Sequence, residues 1–202
     1  PFANAVLHAR LEQEEMLRDI LRSAQKMSQV IQELLLLAQV RRADVATTEI
    51  DMPVVLAEAR ARIWSLLEET SGELIVDGAE QWPPACGYAP WVEVIWYNYI
   101  SNALKYGGQP PRVELGAERP DAQRVCFWVR DNGPGLTADQ MARLFVEFTR
   151  VGDAAQAGQL HGHGLGLSIV KRIVDKLGGE VGVQSQPGMG SVFRFYLPAA
   201  PC

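Results

Sequence analysis

The nine residues 98–106, Asn-Tyr-Ile-Ser-Asn-Ala-Leu-Lys-Tyr, begin an ordered series of short motifs in the second half of this 202-residue chain. The series continues with Asp-Asn-Gly-Pro-Gly at 131–135, Phe-Val-Glu-Phe at 145–148, Gly-His-Gly-Leu-Gly-Leu at 162–167 and Gly-Met-Gly-Ser-Val-Phe at 188–193. Each motif alone is a weak signal, because surface turns and core helices often contain such residues. Their order along the chain is what makes them informative.

The first motif predicts a helix with a polar face. Asn98, Asn102 and Lys105 share one face of a helix that we expect from about Pro90 to Tyr106. An amide oxygen suits Mg²⁺, which keeps several waters and bridges nucleotide phosphates. An amide cannot accept a proton near neutral pH, so Asn98 cannot act as a general base. A solvated polar face is the alternative interpretation. The opposite face carries the apolar residues Trp96, Ile100, Ala103 and Leu104.

Two glycine-rich motifs predict close approach of the backbone to a ligand. Residues 131–135 follow a predicted strand, where glycine permits positive φ and contact with a flat ligand, although a surface turn is the alternative. Residues 162–167 precede a predicted helix, which places free backbone amides and the positive end of the helix dipole beside a bound phosphate. The intervening segment 149–163 has few apolar anchors and is expected to need a ligand to become ordered.

The remaining pattern predicts an α+β domain. Helices and strands interleave without regular β-α-β units, so a mixed sheet covered on one face by helices is expected rather than a doubly wound fold. Helices are predicted at about 17–42, 53–70, 90–106, 137–145 and 165–177, and strands at about 74–77, 113–117, 124–130, 180–185 and 191–197.

A helical segment at residues 1–46 precedes this larger domain at residues 47–202. Apolar residues recur at intervals of four and three from Ile20 to Ala38, a heptad pattern typical of helices that pack in bundles. Residues 1–15 are also predicted to be helical. A tight turn near residues 12–15 would then make a helical hairpin.

Composition and charge narrow the class of protein. The chain is 48% hydrophobic and 21% charged, as in ordinary soluble proteins, and its net charge of −5 argues against nucleic-acid binding. The apolar run from Leu34 to Ala38 is too short to span a bilayer, so no direct membrane contact is expected. Cys86, Cys126 and Cys202 lie far apart without metal-ligand spacing, which predicts buried or free thiols in a reducing cytosol.

The ordered motifs resemble the N, G1, F, G2 and G3 boxes of the histidine-kinase catalytic domain, in the GHKL ATP-binding superfamily. The resemblance covers about residues 48–198. It implies a Bergerat-type two-layer α/β sandwich, preceded by a helical hairpin that forms a homodimer as a four-helix bundle. The implied activity is transfer of phosphoryl groups from ATP, with Mg²⁺, to a histidine and then to an aspartate of a response-regulator receiver domain, in the cytoplasm.

The same resemblance separates kinases from hydrolases. In the gyrase-B and chaperone ATPases of the superfamily, a glutamate that activates water stands at the position of Asn98. The amide here therefore favours a kinase. The alternatives are a GHKL-type ATPase and a degenerate, non-catalytic dimeric ATP-binding module.

The resemblance also implies roles for single residues. Asn98 and Lys105 would be catalytic, Asn102 would bind Mg²⁺ and Asp131 would accept the adenine amino group. His161 and His163 flank the first glycine of the fourth motif and are more often structural, and residues 188–190 would form a turn under an ATP lid at 149–163. The resemblance implies nucleotide binding at Asn98, Asn102, Lys105, Tyr106, Asp131, Gly133, Gly135, Phe148, Arg150, Gly162, Gly164, Leu165, Gly166 and Leu167.

The phosphoacceptor histidine is not matched in the chain. In the family it stands in a His-Glu-x-x-x-Pro-Leu pattern, and Pro1-Phe2 resembles the end of that pattern. The acceptor would then lie five residues before Pro1, and this chain would be a fragment unable to phosphorylate itself. His8 has no adjacent acid and no Pro five residues later, so it is a poor candidate.

Overall fold

The structure is a computed structural model that describes residues 2–76, 78–146 and 164–202. The chain forms two compact units, residues 1–41 and 42–202. The sequence placed a domain boundary at residue 46, within the segment that joins the first helix to the larger unit.

The first unit is a single helix, α1 (Phe2–Arg42). The helical character of this segment is confirmed, but the turn predicted near residues 12–15 was wrong, because the helix passes through these residues without interruption. Residues 2–42 contain neither Gly nor Pro, and the Glu and Gln side chains at 12–15 are good helix formers. Apolar side chains remain exposed along α1 at Met16, Leu17, Ile20, Leu21, Met27, Ile31, Leu34 and Leu35.

The second unit begins with a short strand and a capped helix. Strand β1 (Thr48–Glu49) pairs with β3 (Cys86–Gly87) in an antiparallel two-stranded sheet. Helix α2 (Met52–Thr70) starts at Asp51, whose Oδ1 accepts a hydrogen bond from Val54 N at 3.3 Å. A carboxylate at this position satisfies one of the free amides of the first turn, so the helix begins where the chain leaves β1.

The main sheet is mixed and has five strands in the order β2-β4-β5-β7-β6. Only the β2–β4 pair is parallel; the other pairs in this sheet are antiparallel. The strands are β2 (Glu73–Val76), β4 (Arg112–Glu118), β5 (Arg124–Asp131), β6 (Glu180–Ser185) and β7 (Ser191–Pro198).

One face of this sheet is covered by helices. Helices α3 (Ala89–Tyr106), α4 (Ala138–Arg143) and α5 (Gly166–Lys176) complete the unit, together with a short 3₁₀ helix (Ala79–Gln81). The α+β class and the two-layer arrangement predicted from the sequence are confirmed. Thr137 and Gln140 form the predicted capping box at the start of α4.

Aromatic side chains join α3 to the sheet. The ring of Trp96 lies 5.1 Å from Phe195 and 6.0 Å from Phe127, measured between centroids, and all three are fully buried. Tyr99 is also buried and donates a hydrogen bond to the carbonyl of Arg194 at 3.1 Å. Helix α3 is therefore held firmly by its apolar face, and this fixes the direction of its polar face.

The carboxyl-terminal tail is joined covalently to β3. Cys86 and Cys202 form a disulfide, so the prediction that they are thiols was wrong, while Cys126 is a buried free thiol as expected. Ala199 forms a β-bridge with Ala85, and this contact brings the tail beside Cys86. The proximity depends on tertiary structure across 116 residues, which cysteine spacing cannot reveal.

Among the described residues, no helix combines the length and the apolar character that a membrane span requires.

Candidate nucleotide-binding site

The polar face of α3 forms one wall of the candidate site. Asn98, Asn102 and Lys105 are partly exposed along this face, and Tyr106 is exposed at its end. The apolar side chains predicted for the opposite face, those of Trp96, Ile100, Ala103 and Leu104, are all buried. The packing of α3 on the sheet therefore leaves the two amides and the lysine facing outward together.

Asn98 lies against the beginning of α5. Its Nδ2 donates to the carbonyl of Val94 at 2.8 Å, which leaves Oδ1 directed toward α5. A Cβ atom at Gly166 would overlap Asn98 Oδ1, so a larger residue there would require the Asn98 side chain to move. Leu165, just before Gly166, is fully buried and anchors the start of the helix. The free backbone amides of the first turn of α5 are thus brought close to the polar face of α3.

Asp131 ends β5 as a buried carboxylate. Its Oδ1 accepts hydrogen bonds from Gly133 N at 2.8 Å and from Ser191 N at 3.2 Å. Burial raises the pKa of Asp131, and the two backbone hydrogen bonds only partly oppose that rise. Within the described part of the chain, no hydrogen bond ends on Oδ2. A buried carboxylate with one satisfied oxygen is suited to accept a hydrogen bond from a ligand.

The turn between β6 and β7 packs against the backbone of Asp131. Gly190 has φ +74°, and a Cβ atom there would overlap the carbonyl oxygen of Asp131. Ser185 Oγ donates to Gly190 O and accepts from Leu136 N, both at 2.8 Å. The sequence assigned this turn little direct chemistry, but its backbone supplies one of the two donors to the Asp131 carboxylate.

Ser191 and Ser185 were missed by sequence reasoning. Ser191 acts on Asp131 through its backbone N–H, which every residue except proline carries, so its residue type gives no signal. Ser185 follows an alternating strand pattern and resembles any polar strand residue in the sequence. Both contacts depend on the register that pairs Asp131 with Ser191 and Ser185 with Ser191.

These elements fit a purine nucleotide. Asp131 provides a buried hydrogen-bond acceptor at the end of β5. The amino terminus of the 11-residue helix α5 lies against Asn98 of α3, and Asn102 and Lys105 lie on the same face of α3 as Asn98. Such a terminus favours phosphate, whereas a buried carboxylate favours a ligand that donates hydrogen bonds, such as the amino group of adenine.

The second unit matches a known protein family. The sequence profile described as "HATPase_c: Histidine kinase-, DNA gyrase B-, and HSP90-like ATPase" matches residues 87–201, more than half of the chain. The chain belongs to this HATPase_c family. The matched region contains α3, Asp131 and the glycine-rich start of α5, the three parts of the site described above.

The HATPase_c chain is similar to curated histidine kinases. It is 31% identical over 179 residues to the methanogenesis regulatory histidine kinase FilI of Methanothrix harundinacea, with 86% of this chain and 19% of FilI covered. It is 29% identical over 176 residues to the adaptive-response sensory kinase SasA of Thermosynechococcus vestitus, with 86% of this chain and 46% of SasA covered. The chain thus spans less than half the length of these relatives.

Solved structures share the HATPase_c fold. Full-length ShkA in complex with AMPPNP superposes with a TM-score of 0.70 at 28% identity, covering 86% of this chain and 37% of ShkA. Acinetobacter baumannii histidine kinase AdeS superposes with a TM-score of 0.69 at 20% identity, covering 91% of this chain and 83% of AdeS. The second similarity concerns the fold alone.

The predicted site residues of the HATPase_c chain fall into two groups. Phe148, Arg150 and Gly162 lie outside the described residues, as do His161, His163 and the predicted lid at 149–163. The others lie in three described segments: Asn98, Asn102, Lys105 and Tyr106 on α3, Asp131, Gly133 and Gly135 at the end of β5, and Gly164, Leu165, Gly166 and Leu167 at the start of α5. Close contacts join Asn98 to Gly166 and Tyr106 to Gly133.

Proposed function

We propose that this chain is the ATP-binding catalytic part of a sensor histidine kinase of a two-component system. The observation that carries the proposal is Asn98, an amide that lies against Gly166 at the start of α5. The description of the HATPase_c family names ATPases as well as histidine kinases. Activation of water requires a base, and an amide does not accept a proton near neutral pH. Asn98 therefore favours transfer of the phosphoryl group to a side chain over transfer to water.

Asp131 is the proposed adenine-binding residue. Its Oδ1 already accepts two backbone N–H groups, so Oδ2 remains to accept the adenine amino group. Guanine presents a carbonyl at that position, which donates no proton and would face a carboxylate. The proposal thus predicts a preference for adenine nucleotides.

The proposed phosphate site is the start of α5. The amides of residues 164–167 have no partner within the helix, and the dipole favours negative charge there. Lys105 adds a positive charge from α3. When bound, ATP with Mg²⁺ supplies the phosphoryl group, and the residues of this chain hold it in place and neutralise charge.

Asn102 is the proposed magnesium ligand. Among the described residues, no group of three His, Cys, Asp or Glu side chains could hold a metal ion. A single amide oxygen fits Mg²⁺ that is held mainly by nucleotide phosphates and water. The cation would then bind together with the nucleotide and not in advance of it.

Helix α1 is the proposed dimer interface. The side chains of Leu17, Ile20, Met27 and Ile31 are each more than half exposed in the single chain. Their heptad spacing suits packing against the same helix of a second copy within a helical bundle. The phosphorylated histidine would pass its phosphoryl group to an aspartate of a receiver domain in the cytoplasm.

The function is tested with the full-length protein, Mg²⁺ and ATP labelled at the γ-phosphate. We expect protein-bound phosphate that is labile in acid and stable in base, as for phosphohistidine. A phosphoester that is stable in acid, or release of free phosphate alone, would contradict the proposal. A degenerate ATP-binding module would be stabilised by Mg²⁺-ADP against thermal unfolding but would incorporate no phosphate.

A further inference from the structure

The side-chain amide of Asn132 forms hydrogen bonds with backbone groups between the end of α3 and the start of β4. Its Oδ1 accepts hydrogen bonds from Gly108 N at 3.0 Å and from Arg112 N at 2.8 Å. Its Nδ2 donates to the carbonyl of Pro110 at 3.1 Å. Two of these bonds connect the turn that follows Asp131 to the loop 107–111, which joins α3 to β4, and the third reaches Arg112, the first residue of β4.

The loop and the turn meet closely at this point. A Cβ atom at Gly133 would lie 2.6 Å from the carbonyl oxygen of Tyr106, the last residue of α3. A Cβ atom at Gly108 would lie 2.7 Å from Asn132 Nδ2. The end of the helix that carries Asn102 and Lys105 is therefore in direct contact with the turn that carries Asp131.

Other contacts hold the loop only in part. Glu73 N donates to the carbonyl of Pro111 at 2.8 Å and fixes the β2 side. On another side, the loop lines a cavity of about 700 Å³ together with Leu66, Thr70 and Leu104, so close packing does not hold it there. The Asn132 side chain thus adds directed hydrogen bonds to the close contact between this loop and the base-binding turn.

The three bonds are exposed to solvent, which limits their effect on global stability. Water can replace an exposed hydrogen bond when one partner is removed, so its loss changes the free energy of unfolding little. Water cannot reproduce the fixed geometry that one rigid amide imposes on three backbone groups. The local arrangement should therefore suffer more than the overall stability.

We infer that Asn132 is a positioning residue for nucleotide binding. It sets the separation between Asp131, which binds the base, and the end of α3, which faces the phosphates and Mg²⁺. This inference rests on the proposed function, because it assumes that both groups contact the same nucleotide. The second position of the Asp-Asn-Gly-Pro-Gly motif then contributes to affinity although its side chain faces the protein.

The test compares Asn132→Ala with the wild type in Mg²⁺-ADP affinity, measured by calorimetry well below the unfolding temperature. We expect an affinity about tenfold weaker, because misplacement of a ligand-binding group weakens every contact that depends on it. Asn132→Asp keeps the oxygen that accepts from Gly108 and Arg112 but replaces the donor to the Pro110 carbonyl by a second oxygen, so it should recover only part of the affinity. Equal losses in the Ala and Asp variants, or no loss in Ala, would overturn the inference.

Asp121→Ala is the matched control. Asp121 Oδ1 accepts from Gln123 N at 2.9 Å and Arg124 N at 2.8 Å in the exposed hairpin at the other end of the β4–β5 pair, and its Oδ2 forms an exposed ion pair with the Arg124 guanidinium at 3.0 Å. Its loss should lower the unfolding temperature by an amount similar to that in Asn132→Ala and leave ADP affinity unchanged. If both variants weaken binding equally, Asn132 acts through general stability and the inference is overturned.

Gly108→Ala gives an independent variant if Asn132→Ala does not fold. Its methyl group would press on both the side-chain amide and the backbone carbonyl of Asn132, and we again expect about tenfold weaker ADP binding. Unchanged affinity in a folded Gly108→Ala protein would overturn the inference while leaving the proposed function intact. Failure of the wild type to bind Mg²⁺-ADP would instead contradict the proposed function, and the inference with it.

Discussion

Asp131 combines burial, two backbone hydrogen bonds and a carboxylate oxygen available to a ligand. In Asp131→Asn, the amide oxygen can still accept from Gly133 and Ser191, but the amide nitrogen then faces the adenine amino group, donor against donor. We expect ADP affinity to fall about 10- to 100-fold, the loss of one hydrogen bond to a charged group. The unfolding temperature should not fall, because the variant removes a buried charge.

Calorimetry with Mg²⁺-ADP and thermal unfolding of the ligand-free protein check both parts of this prediction. Unchanged affinity in a folded Asp131→Asn protein would show that the base is bound elsewhere. A large loss of stability would show that the carboxylate mainly supports the turn.

The raised pKa of Asp131 predicts a pH dependence of nucleotide binding. The ionised carboxylate accepts the amine, so ADP affinity should fall as the pH drops through a pKa above the ordinary aspartate value of 3.8. In the ligand-free protein the sign is opposite: the protonated group favours folding below its unfolded pKa, and this contribution is lost as the pH rises through the raised pKa.

The ratio of the ADP affinity of the wild type to that of Asp131→Asn is independent of the titration of the nucleotide, because the nucleotide titrates equally in both measurements. We expect this ratio to approach one at low pH. A ratio that stays constant across the pH series would contradict the assignment.

The residue contacts that could be predicted from the sequence are those set by helical spacing. Asn98, Asn102 and Lys105 share a face because their intervals are four and three residues, and the apolar residues opposite them are buried as expected. The contacts of Asn132 and Ser191 could not be predicted, because they join side chains or amides to backbone groups far away in sequence.

A half-buried ion pair joins helices α2 and α3. Arg62 Nη1 donates to both carboxylate oxygens of Glu93, at 2.9 and 2.8 Å, and its guanidinium lies 4.0 Å from the centroid of the Tyr97 ring. The side chain of Glu93 is 11% exposed and that of Arg62 is 51% exposed. Loss of the arginine therefore leaves a buried charge, whereas loss of the acid leaves a hydrated one.

We predict that Arg62→Ala lowers the free energy of unfolding by about 2 kcal/mol, because an unpaired carboxylate remains buried. Glu93→Gln keeps the volume and leaves Arg62 to solvent, so it should cost about 1 kcal/mol or less. Urea unfolding of both variants measures the difference. A larger loss in Glu93→Gln would contradict the asymmetry of burial.

Most elements could be predicted because their boundaries are marked by local chemistry. Asp51 and Pro53 start α2, Thr137 and Gln140 start α4, and Gly107 follows α3. The predicted turn within α1 was wrong because it was inferred from the expected hairpin and had no Gly or Pro to support it. Capping residues, Pro and Gly thus predicted helix boundaries better than the expected helical hairpin did.

The Cys86–Cys202 disulfide links the carboxyl-terminal residue covalently to β3. A cross-link between distant residues restricts the unfolded chain, which typically contributes about 2–4 kcal/mol of stability. We expect a reductant to lower the unfolding temperature of the wild type. Cys202→Ser should unfold at the reduced temperature with or without reductant, since Cys126 is buried and unpaired. Equal unfolding temperatures for oxidised and reduced wild type would contradict this.

The interleaving of predicted helices and strands allowed the sheet-and-helix architecture to be predicted, but not the contacts between its ends. The strand order β2-β4-β5-β7-β6 brings Asp131 beside Ser191 and returns the tail to Cys86. These proximities arise from long-range pairing, which hydrophobic periodicity does not encode. The proposed nucleotide site depends on the same pairing, since its residues come from α3, β5 and α5.

We propose that an adenine nucleotide binds here through Asp131. Calorimetric titration of the protein with ADP and with GDP, each in the presence of Mg²⁺, tests it most directly. We predict that ADP binds and that GDP binds at least about tenfold more weakly, because the guanine carbonyl faces a carboxylate instead of donating to it. Equal affinity for the two nucleotides, or binding of neither, would contradict the account.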